Sequence, residues 1–391
     1  MVNKMIDTLG IKKEIIDDSL YAIKEVEQQP QKWLETYDII ENNKEKLKDF
    51  LNNEYNVIFT GAGTSEYIGA TVTRELNLKN THHFDTIGSP DICTHPYYYF
   101  RKEKPTILVS FGRSGNSPES KGAIEHADNI FENVKHLIIT CNPNGWMAKY
   151  ADNNKDKALL LVMPEGTCDK SYAMTSSFTC MVLAAYLSFN LDKLEELKSD
   201  LVKVSKCGTY ILDNHTKLLK SFVEDFNFEK FSPLGSGTFK SLAQESVIKI
   251  LEVSAGVPGT WSDSIVGYRH GPSVITQNKQ KALVVMFYEN NEYSNKYYDD
   301  MLEEIQTLYA DRNNRVIVIS PVKTEAIKKY SDLFFHIDTD VTNPVMLSLP
   351  YIIYIHLIMI YKSWTYDHGS DYPFGRQEPS YGILTKIYSI K

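Results

Sequence analysis

Few of the residues that announce a metal, a membrane or a nucleic acid stand out in this sequence. Cysteine is scarce and scattered: Cys93, Cys141, Cys168, Cys180 and Cys207 are odd in number and never spaced as CxxC. That fits a reduced cytosol and argues against a zinc site. No basic run occurs, and the formal charge is −8, with 50 acidic against 42 basic residues. Nucleic acid and anionic membrane are therefore not expected as partners. There is no GxxxxGK[ST], so a nucleotide P-loop is not the reading. The opening MVNKMIDTLGIKKEIIDD carries charges throughout and lacks an apolar core of signal-peptide length, so a cytoplasmic location is expected. The longest apolar run, Val345 to Tyr361, is interrupted by Pro350 and His356 and is short for a membrane span; it reads as a buried helix. No metal and no cofactor are called for.

What is present is enough apolar sequence, 42% of 391 residues, to bury a core in each of two domains. The most informative stretch is Pro105 to Ser120, PTILVSFGRSGNSPES. Thr106 to Val109 with Phe111 suit a strand covered on both faces of a parallel sheet. Ser110 to Ser117 supply two glycines, an arginine and three serines, and Pro118 fits the first position of a helix with Ser117 as its N-cap. Backbone N–H groups at such a terminus, with the hydroxyls of Ser114 and Ser117 and the guanidinium of Arg113, can hold a phosphate. An ordinary capped turn is the simpler alternative.

Upstream, the strand Val57 to Thr60 feeds Gly61-Ala62-Gly63-Thr64-Ser65-Glu66. A dinucleotide fingerprint would need glycine at 66, where a carboxylate would face the pyrophosphate. Thr64 and Ser65 instead add hydroxyls at a second helix N-terminus, beside the Ser114 loop if the two strands are neighbours. Further strands are expected at 136–140 and 158–163, and an apolar helix at about 173–189. Strands alternating with helices argue a doubly wound parallel sheet. The Gly61-Ala62-Gly63-Thr64 segment returns 174 residues later as Gly235-Ser236-Gly237-Thr238, and three other elements follow in nearly that register. Two copies of one α/β fold are expected, each an αβα sandwich of flavodoxin-like type. The divisions are 1–50 (helical segment), 51–190 (first copy, with the phosphate loop), 191–225 (helical connection), 226–365 (second copy) and 366–391 (tail).

In the second copy Glu245, Lys249 and Glu252 fall at i, i+4 and i+7 of one helix, on one face. A solvated ladder of ion pairs worth roughly 0.2–0.5 kcal/mol each is the economical account of that spacing. Beyond it, Ala255 to Pro272 is rich in glycine and proline yet holds Trp261, Tyr268, Arg269 and His270, a composition typical of functional loops. A phosphate loop in one copy and a carboxylate with a histidine in the other suggest proton transfer on a phosphorylated metabolite.

With these residues in view, the chain resembles the SIS (sugar isomerase) domain family, with two tandem SIS domains, and within it the AgaS-type proteins. The matching residues are Gln28-Gln29-Pro30-x-x-Trp33, Thr60 to Ser65, Ser110 to Ser120, Ile139 to Asn142, Ala173 to Ser177, Glu245-Ser246 with Lys249 and Glu252, and Gly267 to Pro272. The resemblance implies that Thr64, Ser65, Ser114 and Ser117 hold a sugar phosphate, that Glu252 is the base at C1 and C2, that His270 opens the sugar ring, and that Lys249 and Glu245 are its neighbours. It also implies a homodimer or larger homo-oligomer and no cofactor. The related glucosamine-6-phosphate synthase uses a lysine near its C-terminus; the tail Gly369 to Pro379 departs from that pattern and offers Arg376 as a candidate. This chain begins MVNKM, without the N-terminal cysteine of a glutaminase, so ammonia release is the expected direction. The expected activity is conversion of galactosamine 6-phosphate, or a close relative, to tagatose 6-phosphate and ammonia. The alternatives are isomerisation of a non-amino phosphohexose and a non-catalytic sugar-phosphate sensor.

Overall fold

In the computed structural model the described residues are 6–52, 55–79, 82–277, 279–308, 313–376 and 386–388. They form ten strands in two parallel sheets. The first contains β1 (Asn56–Gly61), β2 (His83–Gly88), β3 (Thr106–Gly112), β4 (Val134–Thr140) and β5 (Ala158–Val162), in the order β2-β1-β3-β4-β5. The second contains β6 (Lys230–Gly235), β7 (Gly259–Thr260), β8 (Ala282–Phe287), β9 (Asn314–Ser320) and β10 (Leu333–His336), in the order β10-β9-β8-β6-β7. Read from the other edge, that is the same order. It is the doubly wound, flavodoxin-like arrangement, α/β with helices on both faces.

The strands read as continuous apolar runs because both faces are covered. Every residue of β3 and of β8 is buried. In the first sheet Ile58, Leu108 and Ile138 pack with Ala123, Ala127 and Met147 on one face. Phe59 stacks on Phe84 and Phe111 and meets Phe189 edge-on, on the other. The second sheet has its own core around Val284, Met286, Val316 and Val318.

The repeat is structural to the residue. β1 and β6 are offset by 174 residues at both ends, and so are the helices that follow, Thr64–Lys79 and Thr238–Val253. The paired glycines explain why this segment survives in both copies. Gly63 and Gly237 each take φ of +57°, which side chains disfavour. A Cβ on Gly61 would sit 2.5 Å from the Ser65 Cβ, and one on Gly235 would strike the Phe239 carbonyl, so the strand end can approach its helix only as glycine.

Contacts divide the chain into two compact units that cut across sequence order. The first sheet belongs with 31–169 and 174–199; the second belongs with 200–378, with residues up to Pro30, and with Lys170–Ala173. In the first unit the helix Ser176–Ser188 is buried at every residue. Its N-terminus is closed by Asp169, which accepts the N–H groups of Thr175 (2.8 Å) and Ser177 (2.9 Å) and the hydroxyls of Ser176 and Ser177. In the second unit the apolar run expected as a helix forms Pro344–Trp364, started by Asn343, whose Oδ1 accepts from Val345 and Met346. Among the described residues it is the one helix long and apolar enough to cross a membrane, and 94% of its apolar window is buried inside the protein.

Candidate active site

In the first unit the expected phosphate loops leave the carboxyl ends of adjacent strands. β1 and β3 pair in parallel, Thr60 opposite Ser110. They form the point where strand order reverses, the crevice that ligands of such sheets occupy. Thr64 and Ser65 open the Thr64–Lys79 helix and are almost fully buried. Ser114 lies exposed on the second loop and Arg113 is half-buried. The loop is held by Asn142, whose Nδ2 donates to the Ser114 carbonyl at 2.9 Å, and by Asn116, which accepts the Trp146 N–H at 2.9 Å.

Ser117 is the N-cap of the helix Pro118–Ile130: its hydroxyl accepts the Ser120 N–H at 3.2 Å and donates to the Ser120 hydroxyl at 2.7 Å. The N–H groups of Gly115 and Ser117 have no acceptor among the described residues. Donors and a helix terminus are thus gathered as an anion site requires. Thr60 and Ser110 add two buried hydroxyls, 1% exposed and without a hydrogen-bond partner, one residue pair before the loops open.

In the second unit the face of the Thr238–Val253 helix bearing Glu245, Lys249 and Glu252 is not a solvated ladder. Lys249 and Glu245 have 0% side-chain exposure, and Glu252 has 32%. The Lys249 ammonium lies 2.7 Å from Glu252 Oε2 and 3.4 Å from Glu245 Oε1. The expectation of a solvent-facing row fails because the apolar helix Pro344–Trp364 packs against this one. A period near seven fits a buried face as well as an exposed one.

That packing brings in a residue the spacing did not reveal. His356, fully buried, receives Gln29 Nε2 at its Nδ1 at 3.1 Å, and the same amide nitrogen donates to the Val26 carbonyl at 3.2 Å. With the amide hydrogens used in this way, His356 carries its proton on Nε2 and is neutral. Burial, and then the Lys249 cation, hold its pKa well below the usual imidazole value. The sequence did carry both signals: Gln29 stood in the quoted QQPxxW segment, and His356 interrupted an apolar run.

The structure does not join His270 to this cluster. Its ring is exposed at the end of the short helix Gly267–Arg269, and no hydrogen bond or ion pair links it to Glu245, Lys249 or Glu252. Its neighbour Arg269 pairs with Glu304 at 2.7 Å. Arg376 binds Asp18 through Nε at 2.5 Å and so serves as a clamp on the tail. Asp371 in the same tail accepts the N–H groups of Tyr21 (2.9 Å) and Ala22 (2.8 Å), capping the helix Leu20–Glu27. Burial pushes its carboxyl up to about 6 against the pull of those two bonds.

Comparison with known proteins gives the family. The SIS domain family profile matches residues 50–191. A protein of Shewanella sp. (strain ANA-3) named D-galactosamine-6-phosphate deaminase AgaS is 33% identical over 359 residues, which is 88% of this chain and 85% of that one.

The chain belongs to the AgaS family of SIS-domain proteins.

Structural neighbours agree with this membership. A Clostridium novyi NT crystal structure with a provisional tagatose-6-phosphate ketose/aldose isomerase name superposes with a TM-score of 0.91 at 35% identity, covering 97% of this chain and 100% of that one. The Escherichia coli tagatose-6-phosphate ketose/aldose isomerase gives 0.82 at 29% identity, over 92% and 96% of the two chains. AgaS-family membership and the two flavodoxin-like sheets together give two tandem SIS folds, although the profile itself matches only the first.

Proposed function

We propose that this chain is an amino-sugar-phosphate deaminase/isomerase that converts galactosamine 6-phosphate to tagatose 6-phosphate and ammonia. The coarser reading, an enzyme of the phosphosugar isomerase/deaminase kind, rests on the names carried by its relatives. The observation that supports proton transfer is Glu252, a carboxylate 32% exposed and fixed at 2.7 Å by a fully buried lysine, which is how a base is held in one orientation while remaining open to substrate; the amino-sugar substrate is taken from the names of the deaminase relatives.

In this reading Arg113 and the hydroxyls of Thr64, Ser65, Ser114 and Ser117, with the loop N–H groups, bind the 6-phosphate, and that binding positions C1 and C2. His270 moves a proton between ring oxygen and anomeric hydroxyl to open the pyranose. Glu252 takes the C2 proton, giving an enolamine, and returns it at C1. The resulting ketimine adds water at C2, expels ammonia and leaves the ketose 6-phosphate. Lys249 keeps Glu252 aligned, and Glu245 holds Lys249. The enzyme works without a cofactor, in the cytoplasm, as a homodimer or larger homo-oligomer.

Isomerisation of a phosphohexose without nitrogen is the second reading; it needs the same proton transfer and is favoured by the names of the solved relatives. The test is a coupled assay of the pure protein on galactosamine 6-phosphate and glucosamine 6-phosphate, following ammonia and ketose phosphate together. Ammonia from the galacto epimer supports the proposal. Turnover of tagatose 6-phosphate with no ammonia from either amino sugar replaces it by the second reading.

A further inference from the structure

Ile139 to Asn142 is one of the segments that carry the family resemblance, yet the function proposed above gives it no task. The structure of the first unit shows what it holds. Where β4 ends, Thr140 Oγ1 donates to the Gly112 carbonyl at 2.6 Å and Asn142 Nδ2 donates to the Ser114 carbonyl at 2.9 Å. The helix Trp146–Asn153 then opens with the Met147 N–H on the Gly115 carbonyl at 3.0 Å. Three carbonyls of the loop that follows β3 are thus drawn to the β4 side.

A peptide unit is planar and trans, so the C=O of one residue and the N–H of the next point in opposite directions. Holding the Ser114 carbonyl on Asn142 therefore aims the Gly115 N–H away from β4. Because β3 lies between β1 and β4 in the sheet, that direction is toward β1 and the crevice where Thr64 and Ser65 open their helix. The Gly115 N–H has no acceptor among the described residues, and Gly115 takes φ of +64°, the left-handed backbone from which anion-binding nests are built. The Asn142 amide can face only one way: its Oδ1 accepts the Asn144 N–H at 3.0 Å, which leaves Nδ2 for Ser114. Gly145 completes the fit, since a Cβ there would lie 2.5 Å from the Ser114 carbonyl oxygen. Without the Asn142 bond the Ser114–Gly115 peptide can turn over, placing a carbonyl oxygen where its N–H stood.

We propose that Asn142 is a positioning residue of the phosphate site: by gripping the Ser114 carbonyl it fixes the Gly115 N–H on the anion that the loop binds. The inference rests on the Ser114 loop being the phosphate site. No substrate contact and no covalent step is assigned to Asn142 itself; it acts through the peptide it orients.

The test titrates inorganic phosphate by calorimetry into the full chain, unaltered and as Asn142→Ala, Gly145→Ala and Ser114→Ala, and records each melting temperature with and without phosphate. Gly145→Ala displaces the same carbonyl while leaving the Asn142 side chain in place, and Ser114→Ala reports on the loop as a phosphate site. The expected result is phosphate binding roughly tenfold weaker in Asn142→Ala and in Gly145→Ala, the worth of one hydrogen bond to a charged group, with a smaller gain in melting temperature on adding phosphate than the unaltered protein shows. A merely structural role would lower the melting temperature equally with and without phosphate and leave the dissociation constant unchanged. Weakened binding by Ser114→Ala beside wild-type affinity in Asn142→Ala and Gly145→Ala would overturn the role of Asn142 and leave the phosphate site standing. Wild-type affinity in all three variants, or no binding by the unaltered protein, would overturn both.

Discussion

Replacing Lys249 by methionine tests whether the charged face of the Thr238–Val253 helix is a buried network. In the unaltered protein the ammonium serves two carboxylates, one fully buried and one 32% exposed. Glu252 can turn to water when the cation is removed, but Glu245 cannot, so the damage concentrates at Glu245. Breaking a buried pair by removing one partner costs about 3–5 kcal/mol, against roughly 0.2–1 kcal/mol for an exposed pair. For a unit of this size the larger figure corresponds to a drop of roughly 6–20 °C in the melting transition. The double variant Lys249→Met with Glu245→Met removes the stranded charge and replaces it with apolar volume, so it should recover most of the loss. Calorimetry at pH 7 checks both points. A loss below about 1 kcal/mol, or a double variant no more stable than the single one, would refute the argument.

Other perturbations have expected outcomes of their own. Asp128 is pushed up by burial, but hydrogen bonds from His136 (3.0 Å), Lys157 (2.5 Å) and Tyr150 (2.7 Å) outweigh that and hold it at about 2. A carboxyl depressed on folding contributes above its unfolded pKa and loses that contribution as pH falls. Asp128→Asn should therefore cost about 2 kcal/mol at pH 7, with the difference from wild type closing between about pH 4 and pH 2. Asp371 is the opposite case, raised to about 6 by burial. Wild type should gain up to about 3 kcal/mol relative to Asp371→Asn as pH falls from 6 to 4, and urea titrations across that range would show the crossover or its absence. Gly63→Ala and Gly237→Ala should each cost at least about 1 kcal/mol from the positive φ alone, and equal losses in the two copies would confirm that the repeat is a repeat of backbone geometry.

Much of the fold was readable because it rests on local signals. Apolar β-branched runs gave the central strands, Pro118 after Ser117 gave a helix start, and the two GxGT segments gave the repeat, since each glycine answers a steric demand at its own position. β2 was not readable: HFDTIG is an edge strand with charged and polar residues and little apolar alternation. Contacts distant in sequence were equally silent, so nothing in residues 1–30 or Lys170–Ala173 announced that they pack with the second sheet. At the candidate site the positions of Glu245, Lys249 and Glu252 were legible from spacing, but their burial was decided by a helix a hundred residues on. The Glu25 carboxylate, which accepts the Lys170 N–H, carried no pattern at all, because that hydrogen bond spans 145 residues of sequence.

Glu252 is the group proposed to move a proton between C2 and C1. Galactosamine 6-phosphate incubated in deuterium oxide with the unaltered enzyme and with Glu252→Gln would test it by mass spectrometry of the ketose product and the recovered substrate. Deuterium at carbon, with ammonia released by the unaltered enzyme and neither seen with the variant, is the predicted result. Undiminished exchange and ammonia release by Glu252→Gln would contradict it.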